Sequence, residues 1–467
     1  MTNDLHSRGV QTRIAVACLI GNFLEYFEFA LYGFFAVAIG STFFPSDSST
    51  ASLLKSLAVF GVAFLLRPVG GVIFGIIGDH TGRRAALSIS IVVMGLATAL
   101  IGLLPGYVTI GIAAPILLVV LRCVQGVAVG GEWGASSAFL IETAKPNRRG
   151  IRGSLPSTGA ALGLVFGSLL ALIFTLGFSA EVLANWGWRI PFLFAAPLSL
   201  LGLFIRRRLE DTPVFLELQK DEDRPRPRVR DAFRRDQAKA IGVTFCFSWI
   251  CGVGLYYLGT YVVNFLSSTA GVGKTESIIL TCIGLIIYAC LCPVAGRISD
   301  RIGRRKTILF GCAGHTILGI PLFMLLGTGS VAPVLIALVV YAIFQAPINA
   351  NTSLILVEMF PASTRLTGGS VGFNLGVGAP SGFGPLIGAS LVTATGLKFA
   401  PGFFLAGVAL ICGVILYFLL PETAGRDLLS EHDATKDVPA SRGKAAVATN
   451  DEAAAVPTAS SSFSTAG

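Results

Sequence analysis

Twelve apolar stretches dominate the chain: residues 14–40, 53–78, 85–104, 112–136, 155–178, 188–205, 240–267, 275–296, 307–327, 331–357, 367–395 and 399–420. About 20 apolar residues span the ~30 Å hydrocarbon core of a bilayer as a helix. Backbone N–H and C=O groups find no partners in lipid, so each stretch is predicted to close its own hydrogen bonds as an α-helix. Composition agrees. Of the 467 residues, 53% are hydrophobic and 13% charged, against about 25% charged in a soluble domain. A water-soluble protein of this length is excluded. The first stretch is too long for a secretory leader and carries two Glu, so no cleavage is expected. Four His, and nine Cys without a C-x-x-C pair, provide no zinc ligand set; no metal and no cofactor are expected. The Cys residues sit inside apolar stretches and read as small packing residues with free thiols.

Twelve crossings return the chain to its starting side, and Lys and Arg mark that side as cytoplasmic. Of the 35 Lys and Arg, 29 fall in the termini and even-numbered gaps, four (Lys55, Arg189, Lys274, Lys398) at the odd-numbered gaps or the stretch ends beside them, and two, Arg67 and Arg122, deep inside apolar stretches. Both termini are therefore expected in the cytoplasm, in a multi-pass protein of the cytoplasmic membrane. The same placement makes the net charge of +9 a topology signal and not a nucleic-acid surface. The long polar run 206–239 divides the chain. The expected organisation is a cytoplasmic segment 1–13, a six-helix half 14–205, a cytoplasmic loop 206–239, a second six-helix half 240–420, and a disordered cytoplasmic tail 421–467. The tail is rich in Ala, Ser, Thr and Asp, too little to bury a core, and has no heptads for a coiled coil.

The halves echo each other. Asp79-His80-Thr81-Gly82-Arg83-Arg84 follows the second stretch; Asp300-Arg301-Ile302-Gly303-Arg304-Arg305-Lys306 follows the eighth, 221 positions on. A looser pair, Glu142 with Arg149 and Glu358 with Arg365, recurs at 216. Matched halves of equal helix number are the sequence sign of a transporter built from repeats, with its site between them near mid-membrane.

The run from Gly75 to Arg84 reads G-x-x-x-D-x-x-G-R-R, and in it the chain resembles the major facilitator superfamily. Further runs resemble the metabolite:proton symporter family within it: Glu25-Tyr26-Phe27-Glu28-Phe29 ahead of Tyr32-Gly33, and Arg67-Pro68-Val69-Gly70-Gly71. Others are Arg122-Cys123-Val124-Gln125-Gly126 with Gly130-Gly131-Glu132, Trp186-Gly187-Trp188-Arg189-Ile190-Pro191-Phe192, and Glu210-Asp211-Thr212-Pro213-Val214-Phe215. The likeness runs from about residue 21 to residue 423. It implies an all-α membrane protein with twelve transmembrane helices in two six-helix halves. It also implies proton-coupled uptake of α-ketoglutarate, citrate, shikimate, or proline and betaine, with no enzymatic activity. Two departures stand out. The family reads E-W-[YF]-D-F in the first helix, where this chain has Tyr26 and Glu28. The missing coiled coil argues against the osmosensing betaine carrier, whose tail forms one.

A charge inside a membrane helix costs at least ~2.5–3.5 kcal/mol and is a functional candidate by default. Glu25, Glu28, Arg67, Arg122 and Glu132 are such charges, all in the first half; the second half has no Asp, Glu, Lys or Arg deep in any helix. At 100° per residue, Asn22, Glu25, Glu28 and Tyr32 share one stripe of the first helix, and Arg122, Gln125 and Glu132 one face of the fourth. Gly126, Gly130 and Gly134 recur every fourth residue, which allows a neighbouring helix to approach closely. Arg67 precedes Pro68, where a distorted helix is expected.

Glu25, Glu28 and Glu132 are the candidate proton-coupling carboxylates, and the spacing does not choose among them. Arg67, Arg122, Gln125 and Tyr32 are candidate substrate contacts, with Arg122 equally able to pair with Glu132. Tyr257, Tyr261 and Asn264, and Gln345 and Asn349, share helix faces in the second half and are the candidate opposing wall. Asp79, Arg83 and Arg84, with Asp300, Arg304 and Arg305, are candidate gating residues between the halves. Three carboxylates against two guanidiniums leave an excess of negative charge that a proton would neutralise, freeing an Arg for a substrate carboxylate. The expectation is a monomeric symporter that imports a small carboxylate or dicarboxylate with protons. The alternatives are proton-coupled uptake of a zwitterion such as proline or betaine, and efflux by proton exchange. No nucleic acid is expected as a partner; the partners are the bilayer, the substrate and protons.

Overall fold

The computed structural model describes residues 8–220, 234–235 and 237–429. The expectations for residues 1–7, 221–233, 236 and 430–467, which include the distal tail, lie outside the described residues. The first half comprises α1 (Arg8–Phe43), α2 (Ser49–Thr81), α3 (Arg83–Leu103), α4 (Ala113–Glu142), α5 (Leu155–Gly177) and α6 (Asn185–Arg207). The second comprises α7 (Ala238–Ser268), α8 (Lys274–Ile302), α9 (Arg304–Leu326), α10 (Val331–Glu358), α11 (Arg365–Gly376, then Gly384–Thr395) and α12 (Ala400–Leu419). Among the described residues, eleven helices are long and apolar enough to cross a membrane.

The eleventh stretch, 367–395, is not one helix. Its two pieces flank a π turn, Val377–Ser381, in which Gly378 leaves helical geometry at ψ −108°. Gly376, Gly378, Gly382 and Gly384 crowd this stretch, and each costs a helix about 1 kcal/mol relative to Ala. A second π turn, Tyr257–Tyr261, interrupts α7. By contrast, α2 runs through Pro68 without a break.

Within the halves α1 packs on α5, α2 on α4, α8 on α10 and α9 on α12; between them α2 meets α11, α5 meets α8 and α4 meets α10. The crossings α2–α11 and α8–α5 are the same contact seen from either half. Small residues set these distances. A Cβ on Gly126 or Gly130 would lie 2.3 Å from Ala63 O or 2.2 Å from Arg67 O of α2, and one on Gly134 would lie 1.9 Å from Ser370 Oγ of α11.

Two polar segments are more ordered than their composition suggests. In the central loop, Pro213–Lys220 is helical and buries Val214 and Phe215. The start of the tail, expected to be disordered, folds back: Thr423 and Leu428 are buried, and Glu422 accepts from the backbone N–H groups of Arg304 and Arg305 at 2.8 and 3.2 Å. Unpaired N–H groups at a helix start attract a carboxylate whatever the flanking composition.

Candidate functional site

All five intramembrane charges of the first half turn inward: Glu25, Glu28, Arg67, Arg122 and Glu132 are buried. A sixth joins them. Arg206, assigned by the sequence reading to the cytoplasmic loop, is the buried penultimate residue of α6. It takes Glu132 bidentately, at 2.5 and 3.2 Å. Ser90 donates to the same carboxylate at 2.5 Å, and Arg206 also donates to Ala17 O at 3.1 Å and to Leu87 O. Gly21 makes the room, since a Cβ there would lie 1.8 Å from Glu132 Oε1. Arg122 therefore does not pair with Glu132, although the two share a helix face. Three carboxylates meet three guanidiniums, and the expected negative excess is absent.

Arg122 turns instead to Glu28, at 2.8 Å. It also donates to Gln125 Oε1 at 2.8 Å; Gln125 donates to Thr98 at 2.9 Å, and Thr98 to Glu28 Oε2 at 2.6 Å. The four side chains form a closed ring. The Tyr32 ring lies 3.9 Å from the Arg122 guanidinium carbon, and the Tyr32 hydroxyl donates to Ser56 O at 3.1 Å.

Arg67 donates to Glu25 and, across the boundary between the halves, to the Tyr256 hydroxyl at 3.0 Å. Phe29 and Phe64 flank its guanidinium at 5.4 and 5.3 Å. Tyr256 stacks on Tyr26, and Phe64 meets it edge-on at 5.4 Å. Trp133 of α4 packs on Phe373 of α11 at 5.2 Å, and Asn374 donates to Gly130 O at 2.7 Å. Hydrogen-bonding capacity separates the three ion pairs. Glu132 and Arg206 are saturated, whereas Glu25 Oε2, Arg67 Nε and Arg122 Nε and Nη2 have no hydrogen-bond partner among the described residues.

The second-half residues that share helix faces by periodicity fall into separate groups in the structure. Tyr257 and Tyr261 lie 4.8 Å apart but pack on Phe323 inside the second half. Asn264 is exposed and donates to Thr260 O at 3.3 Å. The cause is the π turn, which rotates everything after it away from the phase of a uniform α-helix. Tyr256, the residue before that turn, faces Arg67. Gln345 and Asn349 are buried and bonded to each other at 2.6 Å.

The face carrying the basic loops is locked between the halves. Asp79 accepts from the N–H groups of Leu366 and Thr367 at the start of α11, at 3.3 and 3.1 Å. Asp300 does the same for Gly150 and Ile151 ahead of α5, at 2.7 and 3.1 Å. Arg83 bridges Asp79 and Glu142; Arg304 bridges Asp300 and Glu358. Glu142 crosses to Arg365 at 2.9 Å and Glu358 to Arg149 at 3.9 Å. Arg84 and Arg305 stay on their own halves, bonding to Arg207 O and Tyr417 O. The crossing residues that the sequence reading left out, Glu142, Arg149, Glu358 and Arg365, were visible as the repeat at 216.

Behind this lock, Asp211 accepts from the N–H groups of Arg83 and Arg84 as Glu422 does for Arg304 and Arg305. Burial raises the Asp211 carboxyl above the usual carboxylate range, and its bonds to backbone N–H groups oppose the rise. Thr212 donates to Glu142 at 2.5 Å, and Thr423 to Glu358 at 2.7 Å.

Two helical halves that meet over buried charges and lock along one face define a multi-pass membrane transporter, not an enzyme. The chain belongs to the Major Facilitator Superfamily, whose profile matches residues 18–373 and 250–460. It is 34% identical over 440 residues to the proline/betaine transporter of Escherichia coli strain K12, covering 92% of this chain and 87% of that one. It is 32% identical over 430 residues to the glycine betaine/proline/ectoine/pipecolic acid transporter OusA of Dickeya dadantii, covering 90% and 85%. Among solved structures, the proton:xylose symporter XylE bound to 6-bromo-6-deoxy-D-glucose superposes with a TM-score of 0.71 at 18% identity, over 90% of this chain and 98% of that one. The resemblance read from the loops is thereby established at the level of family and fold.

Proposed function

We propose that this protein imports a zwitterionic osmolyte of the proline or betaine kind across the cytoplasmic membrane, together with protons. The observation that carries the reading is the Glu25–Arg67 pair, which keeps a free oxygen and a free N–H inside an aromatic enclosure. A zwitterion can part such a pair without changing the buried charge. Its carboxylate takes Arg67, bidentately where the approach allows; its ammonium takes Glu25 and the faces of Phe29, Phe64 and Tyr26, surfaces suited to a quaternary nitrogen. A dicarboxylate would add two negative charges to a cluster already balanced by Arg206. That balance, and the names of the relatives, turn the reading from an organic acid to a zwitterion.

Rocking of the halves supplies alternating access. The lock around Asp79, Arg83, Asp300 and Arg304 holds the basic face shut while the solute site is served from the other side. The distribution of Lys and Arg supports placing that face, and both termini, in the cytoplasm. Uptake of labelled proline, glycine betaine, α-ketoglutarate, citrate and shikimate into cells lacking their own carriers tests the proposal. Proline or betaine uptake abolished by a protonophore is expected. Uptake of an organic acid alone overturns the zwitterion assignment.

A further inference from the structure

The second half contains a buried titratable side chain that the osmolyte site does not use. His315 sits at the middle of α9, is fully buried, and neither ring nitrogen makes a hydrogen bond of good geometry. Its ring lies 4.8 Å from that of Tyr341, and Gln345 is its polar neighbour. Among the described residues Gln345 Oε1 and Asn349 Nδ2 likewise make no hydrogen bond of good geometry, while Gln345 Nε2 donates to Asn349 Oδ1 at 2.6 Å and to Cys251 O of α7 at 3.2 Å. Tyr341 donates to Gly254 O of α7 at 2.9 Å. A polar chain thus runs from α9 through α10 to α7, reaching it two residues from Tyr256.

We propose that His315 carries the coupling proton. The proposal rests on the proton-coupled reading above and departs from the assignment of the proton to a glutamate. Each buried carboxylate of the first half already has a guanidinium, so none has a charge excess for a proton to relieve. The imidazole has no such partner. One proton from the outer solution adds to its unprotonated ring nitrogen. The resulting imidazolium donates to Gln345 Oε1 and is stabilised by the Tyr341 ring face. On the inner side the same N–H bond breaks to water and the ring returns to neutral. Movement of Gln345 on protonation shifts its bond to α7, and with it the Tyr256–Arg67 contact.

Among the described residues packed around His315 there is no Asp or Glu that could titrate in its place. Tyr341 faces it from α10; Cys312 lies on its own helix, with Cys412 of α12 beside that thiol, and Cys251 of α7, with Tyr288 and Cys292 of α8, lies beyond Gln345 and Asn349. The nearest charges along α9 are Arg304, Arg305 and Lys306 at its basic-face end, at least ~13 Å away along the helix axis.

In proteoliposomes of the full chain, an inward gradient of one pH unit allows about tenfold proline accumulation per coupled proton. Wild type is expected to accumulate proline. H315Q is expected to equilibrate proline without accumulating it, while still exchanging labelled for unlabelled proline. H315Q that accumulates like wild type overturns the proposal alone; wild type that does not accumulate overturns the proton-coupled reading and this proposal with it. Should H315Q fail to reach the membrane, nitrogen-15 histidine spectra of the wild-type protein decide. An imidazole that titrates and shifts with proline, and is missing from H315N, supports the proposal; an imidazole indifferent to pH and proline overturns it.

Discussion

The Arg67 guanidinium of the first half donates to the Tyr256 hydroxyl of the second at 3.0 Å, among aromatic rings from both halves. In the proposed transport cycle this bond between the halves holds the empty carrier together, and the solute carboxylate competes for the same guanidinium. Hydrogen bonds to charged groups contribute about 1.5–3 kcal/mol. In Y256F, net proline uptake should fall about tenfold, the lower end of that range, with proline exchange largely spared. Equal loss of both would mean that the hydroxyl contacts the solute directly.

Glu132 and Arg206 tie α1, α3, α4 and α6 together with every donor in use. Removing one member of a buried pair costs about 3–5 kcal/mol because the other charge is stranded. R206M should therefore melt well below wild type in detergent, and E132M/R206M should recover most of the loss. Transport by the double variant would assign the pair to architecture; a stable but inactive double variant would return Glu132 to the coupling machinery.

Ser137 of α4 and Ser353 of α10 meet on the boundary of the halves with their Oγ atoms 3.0 Å apart. They are 216 positions apart, the offset that relates Glu142 to Glu358 and Arg149 to Arg365, which places them near the symmetry axis. In a background without the incompletely buried Cys123, Cys246 and Cys290, S137C/S353C should form a disulfide under mild oxidant, stop transport, and recover on reduction. Transport unaffected by a completed crosslink would show that the halves do not separate there.

Gly82 and Gly303 occupy φ 109°, ψ 153° and φ 99°, ψ 160°, a region that essentially only glycine adopts. A Cβ would also strike the carboxylate that caps the next helix, lying 2.0 Å from Asp211 Oδ2 or 2.2 Å from Glu422 Oε2. G82A and G303A should each cost about 1–3 kcal/mol, read as lowered thermal stability. Both should loosen the basic-face lock, read as faster labelling of a cysteine placed at Ser353. Labelling as slow as in the unsubstituted background would separate the capping carboxylates from the lock.

Much of this architecture is legible in residue order, and the limits are specific. The spacing of Glu25 and Glu28, and of Arg122 and Gln125, assigns each to a polar face, and all of them point inward. It does not say which acid meets which base, and the pairing of Arg122 with Glu132 is replaced by Glu28 and Arg206. Arg206 reads as a loop residue because it opens a run of arginines, yet it is buried. The second half is harder to read because a π turn changes the phase of α7 after Tyr256 and another breaks α11. A constant 100° per residue carries no sign of either.

The order of residues alone established that the chain must fold in lipid, that it is two related halves, and that the charges deep within its apolar stretches all belong to the first half. Those properties follow from local chemistry: helix length against bilayer thickness, repeated loop residues, and the cost of a charge without water. Which charges neutralise each other, which tyrosine reaches across to Arg67, and which helix ends Asp79 and Asp300 cap were decided by tertiary packing. Helical periodicity specifies the direction of a side chain from its own axis, and the neighbour it meets depends on how twelve axes are arranged around it.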